Sequence, residues 1–162
     1  MLALLLIAAA DWSGWHASLV AGAGTAQGIL GGHFEVRDGR LAAFVGTGVI
    51  FSTTLDFESY GGEGAGAVAG GRWYGSESGE GPFLSAQFSF SAQQSPGDPL
   101  EGYPPAWLHQ NATTLVAGWR FRSEAGLLLE VGLGGGVLVK NFGGSRAVSA
   151  IPDLTLALGY EF

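Results

Sequence analysis

Between Phe83 and Gln93 the chain alternates without a break. Leu84, Ala86, Phe88, Phe90 and Ala92 stand against Ser85, Gln87, Ser89, Ser91 and Gln93. Strict period two predicts a β-strand whose two faces meet different surroundings. Less regular versions of the pattern predict strands over 14–24, 29–37, 40–51, 64–74, 113–122, 127–140 and 153–162. The last is as clean as the first: Leu154, Leu156, Leu158, Tyr160 and Phe162 oppose Asp153, Thr155, Ala157, Gly159 and Glu161. The third strand is ambiguous. Leu41, Ala43, Val45, Val49 and Phe51 make the better apolar face, which leaves Phe44 and Ile50 on the other.

The connections have an asymmetry of their own. "RDGR", with its Asp38-Gly39 hairpin signal, and "RSEAG" are short, whereas "STTLDFESYGGEG" and "SPGDPLEGYPPAWLHQ" are long and rich in Gly, Pro or acid. "GSESGEG" is long for a turn and "TAQG" short for a loop. Eight strands in a row, turns at one end and loops at the other, predict an all-β, eight-stranded antiparallel up-and-down transmembrane barrel. Strands of about ten residues suit a tilted crossing of a bilayer.

Composition sharpens this. Charged residues are 13% of the chain against 47% hydrophobic, and 29 of its 162 residues are glycine, which disfavours a helical bundle. Without cysteine there is neither a disulfide framework nor a thiolate metal site. A net charge of −7, with seven scattered Lys and Arg, argues against nucleic acid as a partner. The apolar run "MLALLLIAAA" reads as the core of a secretory signal over 1–10, with Ala8 and Ala10 before a cut, leaving one barrel domain over 11–162; an apolar first strand is the alternative.

Alternation alone does not say which face is outside. His16, His33, Glu35, Arg72, Arg120, Glu130, Lys140 and Asp153 all share the non-apolar face with glycine and serine. Small residues and a few opposite charges suit a narrow lumen closed by ion pairs, since an isolated buried charge is expensive. A network of His33, Glu35, Arg72, Arg120, Glu130 and Lys140 is therefore expected, with Arg120 and Glu130 paired across the "RSEAG" turn. If the chain starts on the periplasmic side, Trp15, Trp73, Phe83, Trp119, Phe121, Tyr160 and Phe162 gather at that end and Phe51 and Phe90 reach the other, as interfacial girdles do.

On these residues the chain from about Trp12 resembles the small eight-stranded outer-membrane barrels, the group that includes the OmpA transmembrane domain and OmpX. Such barrels close with a polar residue, a glycine and two alternating apolar residues ending in Phe, which the outer-membrane assembly machinery reads. Thr155, Ala157, Tyr160 and Phe162 match those positions, with Ala157 in place of the glycine. The resemblance implies an integral protein of the Gram-negative outer membrane, among lipids and lipopolysaccharide, monomeric and without cofactor.

Two other readings compete. His16-x-Ser18 on one strand, with Glu161 on the strand that closes against it, resembles the His-x-Ser of lipid A deacylases and would make a hydrolase. That set faces the lumen at the periplasmic end, so the expectation is no enzyme. A soluble lipocalin-like ligand-binding barrel would need an apolar cavity, which the Gly, Ser and charged face does not supply. "WLHQN" places His109 in the longest loop, with no second metal ligand at suitable spacing. "GLGGGVLVK" lacks the Lys-Ser/Thr of a phosphate loop. "NAT" at Asn111 matches a glycosylation acceptor without meaning for such a barrel.

Overall fold

The computed structural model describes residues 14–24, 28–50, 63–95, 106–142 and 145–162. The signal-like stretch 1–10, Phe51 and most of the two long loops lie outside them. Eight strands follow in chain order: β1 (Trp15–Gly24), β2 (Gly28–Asp38), β3 (Leu41–Ile50), β4 (Glu63–Tyr74), β5 (Gly81–Ser95), β6 (Ala106–Arg122), β7 (Leu127–Phe142) and β8 (Ser145–Glu161). Each pairs antiparallel with its neighbour, and β8 closes on β1, giving an all-β up-and-down barrel. The turns at 39–40, 75–80 and 123–126 share one end with Trp15 and Phe162; this is the short-turn end.

The register fixes how the strands lean. Stepping across the ladders from Ser18 leads through Glu35, Phe44, Gly70, Gln87, Thr114 and Gly136 to Ile151, ten residues short of Glu161, the β8 residue that Ser18 itself faces. Such a stagger requires tilted strands, roughly 35–45° from the barrel axis, and eight strands leave an interior that side chains fill.

Burial follows the alternation, with the usual polarity reversed. Glu35, Arg37, Arg120, Glu130 and Asp153 are buried, while Leu133, Leu154 and Leu158 are about two-thirds exposed, at 68%, 67% and 66%. Among the described residues, charge on the outward strand faces lies at the two ends, as with Asp38 beside the β2–β3 turn and Arg146 at the far end of β8.

Three expectations change in detail. Phe44, ambiguous in the sequence, turns inward: its ring lies across Gly70, its partner on β4, where any Cβ would collide with it. Phe83 is not part of an outward girdle. It is one step out of phase with Leu84 and packs inward against Tyr74 and Val116. β6 and β8 begin earlier than 113 and 153, so "WLHQN" belongs to a strand and His109 is not in a loop. Residues 145–150 are exposed on both faces, which erases the alternation that reveals a strand.

β8 also carries Pro152 without losing a ladder bond. Phe162 N donates to Ala17 O on β1, and Glu161 N to Gly126 O on the β7 side. The β7–β8 register runs unbroken from Leu127–Tyr160 to Phe142–Ser145, so even-numbered β8 nitrogens face the β1 side throughout. Pro152 N therefore points away from β7. The β1–β8 ladder stops at Ala23–Leu156, and from Ala150 back to Ser145 β8 has a strand partner only on β7 among the described residues. Proline in a strand is tolerated where its missing N–H faces such an edge.

Candidate functional site

The lumen is built around a closed quartet of charges. Glu35 on β2, Arg72 on β4, Arg120 on β6 and Glu130 on β7 all point inward by strand parity, and all four are at most 5% exposed. Arg72 Nη1 lies 2.8 Å from Glu130 Oε1 and 3.1 Å from Glu35 Oε2. Arg120 Nη2 lies 2.8 Å from Glu35 Oε1, and Arg120 Nε donates to Glu130 Oε1 at 2.6 Å. Each arginine thus bridges both glutamates, and the quartet is neutral as a whole.

Aromatic groups complete it. Tyr74 OH donates to Glu35 Oε1 at 2.8 Å and accepts from Arg72 Nη1 at 3.0 Å. The Arg72 guanidinium sits 4.3 Å from the Phe83 ring centroid, and that of Arg120 4.7 Å from Tyr74. Stacked guanidinium on ring replaces part of the lost hydration. Because the four strands β2, β4, β6 and β7 lie around the barrel, the quartet ties the wall together across its interior.

A second cluster closes the short-turn end. The Glu161 carboxylate lies 3.4 Å from Arg37 Nη2, 3.1 Å from Arg122 Nη2 and 3.3 Å from His16 Nδ1. Arg37 Nη1 also donates to the carbonyls of Gly39 and Glu77, so one guanidinium joins the β2–β3 turn, the β4–β5 turn and β8. Gly79, in the β4–β5 turn, takes φ +75° and rests on that guanidinium; a Cβ there would stand 2.5 Å from Arg37 Nε. Towards the other end the lumen turns mostly to amides and hydroxyls around one further carboxylate, with Gln87 Nε2 donating to Asp153 Oδ2 at 2.8 Å and Gln110 to Gln93 at 3.1 Å.

Of the expected network, Glu35, Arg72, Arg120 and Glu130 come together. His33 lies beside them, its ring 5.0 Å from that of Phe44. Lys140 does not join: it is ten residues along β7 from Glu130, and at about 3.3 Å per residue that is roughly 30 Å of strand. Tyr74, Arg37 and Arg122 were not among the residues expected in the network. Tyr74 has the inward parity of Arg72, a usable signal; the grouping of Arg37, Arg122 and Glu161 depends on how the barrel closes, and local pattern does not contain it.

Trp15, Trp73, Trp119, Phe121, Tyr160 and Phe162 all lie outward near the short-turn end, and Phe90 and Trp107 outward towards the other. Thr155 and Ala157 face the lumen on β8, opposite in phase to Tyr160 and Phe162. The His16, Ser18 and Glu161 set forms only in part. His16 reaches Glu161, but that carboxylate is already engaged by two arginines, and no hydrogen bond joins Ser18 to His16 among the described residues. No group of three or more His, Cys, Asp or Glu is placed to hold a metal ion among the described residues. No protein-family model, curated protein or solved structure matches the chain.

Proposed function

We propose that the chain is a small integral barrel of a bacterial outer membrane, with a structural or surface-loop-binding role and a lumen filled by side chains. One observation carries the reading: the protein buries its charges and exposes its leucines. In water, the outward leucines of β7 and β8 would form a continuous apolar surface far larger than a monomeric soluble protein leaves open. In hydrocarbon the same surface is solvated, and closure of β8 on β1 from Glu161 to Leu156 pairs the strand edges there, where unpaired backbone groups would be costly.

The height of the belt supports the same reading. On β6 the outward residues are apolar or small from Phe121 until Thr113 and Asn111. From Phe121 to Thr113, the first polar outward position, eight strand steps at about 3.3 Å, tilted by roughly 40–45°, rise about 20 Å, comparable with the apolar band of about 25 Å in such barrels. The aromatic residues at the short-turn end then form an interfacial girdle, with that end in the periplasm. Surrounding lipid is the first partner; the assembly machinery, acting through β8, is the second. A soluble ligand-binding barrel would present an apolar cavity, whereas the space inside this one is taken by the quartet and by Tyr74 and Phe83. Hydrolysis at His16 gains nothing from a carboxylate held by Arg37 and Arg122.

Cell fractionation followed by gels of boiled and unboiled samples tests this. The expected result is a membrane-bound band, extracted only by detergent, whose migration shifts on boiling. A band that stays soluble without detergent and shows no heat shift overturns the proposal.

A further inference from the structure

Above the belt on β6, β7 and β8, three polar side chains line up on the outer wall. His109 faces Asn141 across the β6–β7 ladder, and Asn141 faces Arg146 across β7–β8. Direct cross-strand partners share a face and stand about 5 Å apart at Cβ, so the three span roughly 10 Å. All are exposed, and neither the Asn141 nor the Arg146 side chain makes a hydrogen bond or ion pair with any described residue. Arg146 is the outward cation of this end of the wall, and no acid shares the outward face of β6, β7 or β8 among the described residues.

Below the row the same face becomes apolar: Val139 and Val148, then Val137 and Ala150, then Leu133 and Leu154, each a cross-strand pair. A cation and two neutral polar side chains above a paired apolar track complement one kind of molecule, with an anionic head and hydrocarbon tails.

We propose that this row binds the phosphate groups of a multiply acylated phosphoglycolipid, the lipopolysaccharide of the outer leaflet, whose chains lie along the track beneath. The inference rests on the outer-membrane reading, which places this end of the barrel at the cell surface. Arg146 supplies charge-assisted hydrogen bonds to phosphate oxygens, and Asn141 and His109 donate beside it. By sequence the two long loops carry Asp56, Glu58, Asp98 and Glu101, so phosphate is drawn to the β6–β8 wall rather than to them.

The test uses the full-length barrel in detergent micelles, with native mass spectrometry counting bound lipid. Lipid A with its phosphates and the same lipid with them removed are titrated against the wild type, Arg146→Glu, Arg146→Lys and Arg40→Glu, the last altering a cation at the opposite end. Heat-shifted migration shows that each variant is folded. Expected are binding of the phosphorylated lipid about tenfold tighter than of the phosphate-free one, loss of that difference in Arg146→Glu, and its retention in Arg146→Lys and Arg40→Glu. Equal binding of the two lipids by a folded micellar barrel, or an undiminished difference in Arg146→Glu, overturns the site while leaving the membrane reading intact. A chain that stays soluble without detergent overturns both.

Discussion

Arg72 and Glu130, 58 residues apart on strands that do not pair, meet across the lumen at 2.8 Å. Their contact is a strut between opposite sides of the wall. Removing one end leaves the other charge buried among Tyr74, Phe83 and a second arginine. Glu130→Ala is therefore expected to cost about 3–5 kcal/mol, read as a lowered urea midpoint of the refolded barrel. The double variant Arg72→Met with Glu130→Leu restores neutrality around Glu35 and Arg120 and should cost less than the two single changes added together. A wild-type midpoint for Glu130→Ala would refute the strut.

The clasp at the short-turn end makes a separate prediction. Gly79→Ala adds a methyl against the Arg37 guanidinium and forces a left-handed backbone on alanine, at about 1–2 kcal/mol. In an Arg37→Ala background the steric part disappears and only the backbone part remains. A double-mutant cycle in urea checks this. Strict additivity of the two changes would mean that the turn does not rest on Arg37.

Strand geometry and proline chemistry together predict a contrast within β8. Pro152→Ala should change stability by no more than about 0.5 kcal/mol, because no β7 bond is gained or lost. Ser149→Pro removes an N–H directed at β7 and should cost about 1–2 kcal/mol. Similar costs for the two would invalidate the assignment of β8's edges.

Those cases also show what the chain discloses by itself. Wherever one face of a strand meets a charged lumen and the other an apolar exterior, alternation is strong, and β5, β7 and the lower half of β8 are legible residue by residue. Arg120 and Glu130 are legible as a pair because one short turn sets their register. Above the belt the two faces no longer differ, with Trp107 and Leu108 adjacent on opposite faces among polar residues, so Asn111, His109 and Arg146 carry no periodic signal and their strands read as loop. Phe83 misleads because it is one of three successive apolar positions in an otherwise alternating strand, Pro82, Phe83 and Leu84. The grouping of Arg37, Arg122 and Glu161 requires the barrel to close with its ten-residue stagger, a global property that no local window contains.

A charge quartet crossing the lumen predicts electrical silence. With Glu35, Arg72, Arg120, Glu130, Tyr74 and Phe83 spanning the lumen, reconstitution into planar bilayers should give no steady conductance of the size of a general porin. Sustained open-channel current at neutral pH would contradict the packing of the quartet.

The claim on which the rest depends is that the outward face lies in hydrocarbon, and a single charge placed there tests it. Leu133, midway along the β7 belt and 68% exposed, touches little of the protein. In water Leu133→Arg would be nearly neutral, within about 0.5 kcal/mol. At the middle of a bilayer the same change costs about 2–4 kcal/mol. The measurement is the folding free energy of wild type and Leu133→Arg in phospholipid vesicles, from reversible denaturant titration. A loss of about 2–4 kcal/mol is the expected result; a difference within about 0.5 kcal/mol would contradict the account.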